Sequence, residues 1–151
     1  MPTRKPWDHV INLKEDFVLK KERTYLMSRQ KKEKVREFVK EQLRKEYIRP
    51  SKLPQTSLVF FVGKKNGKKR IVQNYRYLNK RTKDNYPLPL ILDLIDTMGT
   101  KRVFTKIDLQ WEYNNVWVKK GDEWKTMFTM YLEVYEPTVM FFGLTNSLAI
   151  F

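Results

Sequence analysis

Asp108 closes the run Val103-Phe104-Thr105-Lys106-Ile107-Asp108-Leu109, whose side chains alternate as on a β-strand. Val103, Thr105, Ile107 and Leu109 fall on one face, and Phe104, Lys106 and Asp108 on the other. This spacing puts a carboxylate at a strand's exit, where a ligand can reach it, with the ring of Tyr113 five residues on. An aspartate there can also serve simply to start a turn. The second chemically suggestive group is cationic. Gly63-Lys64-Lys65-Asn66-Gly67-Lys68-Lys69 separates two β-rich runs, Leu58 to Val62 and Arg70 to Tyr75. Asn-Gly between strands is a strong hairpin signal, because a type I′ turn requires positive φ at both central positions. With Asn66 and Gly67 at the tip, Lys65 faces Lys68 and Lys64 faces Lys69, and like charges across a hairpin repel. Either the basic tip guards a sheet edge against aggregation, or an anion such as a triphosphate relieves the repulsion. Arg70 adds a guanidinium able to grip phosphate oxygens bidentately. Asp93 and Asp96, three apart, could bind a metal or form a solvated acidic face. His9 is the lone histidine and cysteine is absent, which argues against His-based triads, thiolate zinc sites and disulfides.

These groups must be carried by regular elements. Val35, Phe38, Val39, Leu43 and Tyr47 form a helical stripe, with Ser28 as expected N-cap and Pro50 forcing Arg49 out of helical geometry. Glu37 with Lys40 and Glu41 with Lys45 are suitably spaced ion pairs. Leu90, Ile91, Leu94, Ile95 and Met98 form a second stripe ending at Gly99. Tyr86-Pro87-Leu88-Pro89 reads as extended. Beyond Asp108, a hairpin is expected from Val116 to Lys119 and Trp124 to Tyr131, with Leu132 to Glu136 continuing the sheet. Residues 140–151 read as a loop entering a helix capped by Asn146 or Ser147, and an end on that apolar turn suggests a piece of a longer protein. Residues 1–27, with a possible short strand at Val10 to Leu13, read as an arm packed through Trp7, Phe17 and Tyr25.

Charge narrows the partner. The 151 residues hold 31 Lys and Arg against 17 Asp and Glu, a net charge of +14, which favours polyanions through counterion release. At 41% hydrophobic and 14% aromatic the chain is too apolar for a disordered tail. No apolar stretch is long enough to span a membrane and no signal peptide is evident, so an intracellular setting, cytoplasmic or nuclear, is expected.

Ile48-Arg49-Pro50-Ser51, Phe60-Phe61-Val62-Gly63-Lys64-Lys65-Asn66-Gly67 and Asn74-Tyr75-Arg76-Tyr77-Leu78-Asn79 appear in that order. Tyr86-Pro87-Leu88-Pro89, Lys106-Ile107-Asp108-Leu109, Gly121-Asp122-Glu123-Trp124-Lys125-Thr126 and Phe142-Gly143-Leu144-Thr145-Asn146 follow. Together they resemble the N-terminal half of the reverse transcriptase of gypsy-type long-terminal-repeat retrotransposons, from about Trp7 to Phe151. The resemblance implies an α+β right-hand polymerase, with residues 28–151 forming fingers and an incomplete palm: an antiparallel sheet with packed helices. It implies that Asp108 is the first of three catalytic carboxylates and a Mg²⁺ ligand, with the Leu109 carbonyl as a second ligand atom. Lys64 and Arg70 match residues that contact the triphosphate of a deoxynucleoside triphosphate, and Tyr113 matches the ring that excludes a ribose 2′-hydroxyl. Phe142 and Gly143 match the loop lining the nucleotide pocket, and Arg76 a residue near the template. The implied partners are an RNA or DNA template-primer and, within a larger polyprotein, protease, RNase H and integrase.

The chain also departs from this family. Glu112 stands where a small residue is usual, Asn74 where aspartate is usual and Leu148 where proline is usual. The Tyr-x-Asp-Asp loop with the other two carboxylates is not among these residues, so the isolated chain is expected not to polymerise. The alternative is a non-catalytic basic nucleic-acid-binding module derived from a retroelement. Poor folding of a palm sheet short of partner strands is the third expectation.

Overall fold

The computed structural model describes residues 3–20, 26–53, 57–63, 67, 69–83, 90–109, 112–130 and 133–147. The elements are α1 (Arg29–Arg44), β1 (Ile48–Ser51), β2 (Ser57–Gly63), β3 (Lys69–Asn74), α2 (Arg76–Lys80), α3 (Ile91–Gly99), β4 (Phe128–Met130) and β5 (Glu133–Pro137). Two short 3₁₀ turns cover Glu112–Asn115 and Glu123–Thr126. The strands make one five-stranded sheet in the order β1-β5-β4-β2-β3, so the class is α+β. The sheet is mixed rather than purely antiparallel, because β2 and β4 run parallel.

The β2–β3 hairpin forms in the register its alternation favours, with Val59 opposite Gln73 and Phe61 opposite Ile71. Its Lys64, Lys65, Asn66 and Lys68 lie outside the described residues; Gly67 has φ +73°, the left-handed backbone its place at the tip demands. β3 ends the strand order, so one of its edges carries no strand. α1 lays Val35, Phe38 and Val39 on the core. It stops at Arg44, short of the expected Pro50, since Glu46 turns left-handed (φ 58°) and Ile48 pairs with Pro137. Ser28 holds the N-cap position without a side-chain capping bond, and Lys45 bonds Glu41 at 2.6 Å. Tyr75, Leu78, Phe128, Val139 and Met140 are among the residues that complete the core. α2, unforeseen in the sequence, follows β3 directly and buries Leu78.

Two expectations change. Residues 103–109 form no strand and every one of them is exposed, Ile107 by 76%. Alternation says which side chains would share a face, but a strand needs a neighbour for its backbone groups, and no described segment pairs with this one. The expected 116–131 hairpin is replaced by single bridges, with Trp117 on Val139 and Val118 on His9, and by the 3₁₀ turn at Glu123–Thr126. β4 pairs instead with β5. The second apolar stripe does become α3, yet none of its residues is buried among the described residues, and Asp93 and Asp96 belong to no cluster of three metal-binding side chains there.

The arm is fixed by polar bonds more than by its aromatics. Trp7 is 67% exposed, Phe17 packs on Tyr77 and Trp124, and Tyr25 lies outside the described residues. Arg4 Nη1 donates to Val118 O at 2.8 Å, Ile11 N to Asp122 Oδ2 at 2.9 Å and Lys125 Nζ to Ile11 O at 2.6 Å. Val10 to Leu13 contributes one bridge, Leu13 to Thr82, rather than a strand. No helix among the described residues is long and apolar enough to cross a membrane.

Candidate functional site

A cleft of about 410 Å³ runs along the free edge of β3. It is lined there by Arg70, Ile71, Val72 and Gln73, and across from them by Asp108, Leu109, Glu112 and Asn114. Phe141 and Phe142 close one side, and Phe38 and Gln42 of α1 another. Its volume is in the range of small-molecule sites. Arg70, Asp108, Leu109 and Phe142, far apart in sequence, therefore share one cavity.

The charges in this cleft are uncommitted. Arg70, Asp108 and Glu112 form no ion pair among the described residues. Arg70 Cζ lies 5.9 Å from the centre of the Phe142 ring, a cation held over an aromatic face with its donors left for an anion. Tyr113 does not line the cleft; it stands behind Phe142 with ring centres 4.4 Å apart and buttresses it against the core.

Phe142 is placed by its loop. Gly143 has φ +101°, a backbone conformation that L side chains rarely adopt, so the turn suits glycine even though a Cβ would find room 3.7 Å from Tyr75 Cδ2. The Asn79 carboxamide clamps the loop, donating from Nδ2 to Gly143 O at 2.7 Å and accepting Thr145 N at Oδ1 at 3.1 Å. Tyr75 donates to Thr126 O at 2.9 Å, and its burial pushes the phenol's pKa up. Asn146 Nδ2 reaches Val10 O at 2.8 Å, tying the same loop to the arm.

Arg76 is exposed at the start of α2 and is not part of the cleft wall, whereas Lys64 lies outside the described residues. Gln42, Gln73, Asn79 and Asn114 were not singled out by sequence. A signal existed for two of them. Gln42 follows Phe38 by four residues inside the apolar stripe of α1, and Gln73 shares the face of Ile71 in β3. Both are polar residues where the pattern calls for apolar ones.

The donor set suits a hard cation in part. Asp108 presents an exposed carboxylate oxygen beside the Leu109 backbone, and Mg²⁺ is commonly held by one or two carboxylates together with substrate phosphates. Among the described residues no third acidic or imidazole group joins them, so these residues offer one side of a site rather than a cage.

Comparisons with known proteins agree with this geometry. The family described as reverse transcriptase (RNA-dependent DNA polymerase) matches residues 62–151. Transposon Tf2-3 polyprotein of Schizosaccharomyces pombe (strain 972 / ATCC 24843) is 38% identical over 130 residues, covering 85% of this chain and 10% of that polyprotein. Transposon Tf2-7 polyprotein of the same organism matches to the same extent, 38% over 130 residues. The chain thus spans about a tenth of the length of these relatives. Among solved structures, native prototype foamy virus protease-reverse transcriptase has a TM-score of 0.80 at 23% identity, over 98% of this chain and 20% of that one. The foamy viral protease-reverse transcriptase dRH in complex with ds DNA has a TM-score of 0.77 at 24% identity, over 98% and 26%. These structures share the fold. The sequence match reaches further, from the β2–β3 hairpin through Asp108 to the Phe142 loop: the chain belongs to the reverse transcriptase (RNA-dependent DNA polymerase) family.

Proposed function

We propose that these 151 residues are the fingers and part of the palm of a gypsy-type retrotransposon reverse transcriptase, and that the β3 cleft receives a deoxynucleoside triphosphate. The observation that carries this reading is the meeting of a guanidinium, Arg70, and a carboxylate, Asp108, neither of them ion-paired among the described residues, in one open cavity beside Phe142. Arg70 binds the phosphate chain, Phe142 packs on the sugar side with Tyr113 behind it, and Lys64 of the hairpin tip adds positive charge. Mg²⁺, which this family generally uses, would be held by Asp108 and the Leu109 carbonyl together with phosphate oxygens. When bound, it supplies charge neutralisation at the phosphates. One carboxylate of the expected three is present, so the chain alone binds nucleotide without polymerising it. Template-primer lies along the basic surface, with Arg76 beside the template. Within the polyprotein, the chain acts with protease, RNase H and integrase segments.

Titrating the chain with a deoxynucleoside triphosphate at fixed salt tests this directly. Arg70→Ala is expected to weaken binding by roughly tenfold or more, the scale of a charge-assisted hydrogen bond. An unchanged affinity overturns the reading. Glu112 works against the same ligand, because it lines the same cavity and its carboxylate carries the same sign of charge as a triphosphate. Glu112→Gly is therefore expected to tighten nucleotide binding several-fold. In a chimaera completed by the following segment of a Tf2 polyprotein it should raise incorporation as well. No change in either measurement would show that the carboxylate points clear of the ligand.

A second reading, a non-catalytic basic nucleic-acid-binding module, draws on the net charge of +14. It predicts salt-sensitive RNA binding that ignores Arg70 and nucleotide alike. Competition between free nucleotide and bound RNA separates the two.

A further inference from the structure

The cleft wall also holds uncharged polar side chains. Gln42 is 2% exposed and Gln73 5%, and both line the cavity with Phe38, Ile71 and Phe141. Neither side chain has a hydrogen-bond partner among the described residues, and neither amide is fully sealed from solvent as the His9 ring is. The little surface these glutamines keep is therefore at the amide, towards the cavity they line. Two unpaired carboxamides within an apolar wall are costly to maintain, and native proteins rarely leave buried polar groups unmatched. A ligand that brings both donors and acceptors on the edge of a flat apolar ring would satisfy them.

We infer that Gln42 and Gln73 form a base-recognition end to the cleft, so that this chain holds the nucleobase of a nucleotide itself, without a template strand. The inference rests on the nucleotide reading above. Arg70 and Gln73 are three residues apart on β3, about 10 Å along a strand, and their side chains leave opposite faces. A ligand lying along the free edge of β3 thus meets a cation at one end and the Gln73 carboxamide at the other, with Gln42 lining the same cavity. Phe38 and Phe141 offer ring surfaces for a planar heterocycle, and Gln42, one turn after Phe38, stands on the same face of α1. Glutamine suits the task, since its carboxamide donates and accepts side by side, as base edges do.

The test is a calorimetric titration of the 151-residue chain at fixed salt with two probes, a deoxynucleoside triphosphate and deoxyribose 5-triphosphate. Both carry the phosphate chain and the sugar, and only one carries a base. The nucleotide is expected to bind roughly tenfold tighter, as two neutral hydrogen bonds in a cavity allow. Gln42→Leu with Gln73→Val should close that gap to about twofold or less. Both substitutions suit their positions, leucine on a buried helix face and valine in a strand, and a cooperative thermal melt verifies folding. Equal affinity for the two probes in the unsubstituted chain overturns this inference and leaves the Arg70 reading standing. No binding of either probe overturns that reading and this inference with it. A gap that persists in the folded double variant removes the two glutamines from the role, and the single variants Gln42→Leu and Gln73→Val, read in the same way, decide the matter if the double variant does not fold.

Discussion

Replacing Asp108 with asparagine in a chimaera of this chain with the following segment of a Tf2 polyprotein is expected to lower nucleotide incorporation by about three orders of magnitude. Asparagine keeps the size and one oxygen of the side chain, so packing is not at issue, and the position is exposed in any case. What it removes is the negative charge. If Asp108 contributes a metal-binding carboxylate, several kcal/mol of transition-state stabilisation depend on it, and about 4 kcal/mol corresponds to a thousandfold in rate. Nucleotide affinity in the absence of divalent cation should move in the opposite direction, because the same carboxylate repels a triphosphate when no cation stands between them. That sign reversal distinguishes a ligand-binding carboxylate from one that merely starts a turn. A loss of incorporation below threefold, or a nucleotide affinity without cation that falls alongside the rate, would assign Asp108 the structural role.

The same residue shows what a sequence can and cannot convey. That a carboxylate, a guanidinium and an aromatic loop belong together was expected from the resemblance and, for Arg70, from the hairpin's own charge pattern; the structure brings Arg70, Asp108 and Phe142 into one cleft. The hairpin was legible because its determinants are local: a β-rich run on each arm and Asn-Gly between them. α1 and α3 were legible for the same reason, a stripe at helical spacing. Where pairing is a matter of long-range partners, local pattern failed. The 103–109 run alternates as a half-buried strand should, but no described strand lies beside it. The parallel pairing of β2 with β4 joins Ser57 to Phe128, and nothing near either residue announces the other. α2 is five residues long, too short for a stripe to show. Tyr113 illustrates a subtler shift. The resemblance implies a ring at 113 that meets a sugar; the structure shows that ring packed on Phe142, a contact that the sequence does not announce. Asn79 and Gln73 were missed because polar residues in short elements usually face water, and only the fold shows one clamping a loop and the other buried at a cleft.

The largest stability effect should come from acid, through His9. Its ring is completely buried, and among the described residues neither nitrogen has a hydrogen bond of good geometry, the Asn146 side chain included. The backbone around it is fixed, with His9 N donating to Trp117 O at 2.7 Å and Lys119 N to His9 O at 2.9 Å, so the ring cannot turn out to water without breaking the bridge to Val118. Burial lowers its pKa from 6.5 to about 4, against the opposing pull of the Asn146 side chain and the Asp122 carboxylate. The unfolded chain takes up a proton near pH 6.5 while the folded chain resists until about pH 4. Its contribution is therefore fully present above pH 6.5 and is lost as pH falls towards 4, about 2 kcal/mol of it between pH 7 and pH 5. Ordinary carboxylates scarcely titrate in that interval, so the slope there belongs to His9. For a chain of this size the melting temperature should fall by roughly 4–8 °C over the same interval. His9→Gln, neutral at every pH, should abolish most of that slope even if it lowers the melting temperature at pH 7. The loss should also be felt at the cleft, because the arm that carries His9 is joined at Val10 to Asn146, in the loop that presents Phe142. Nucleotide affinity measured below the melt should then weaken from pH 7 to pH 5 in the unsubstituted chain more than in His9→Gln. A melting temperature that stays level between pH 7 and pH 5, or a slope the glutamine variant retains, would mean that the ring is solvated in solution and that the arm is not locked as the structure has it.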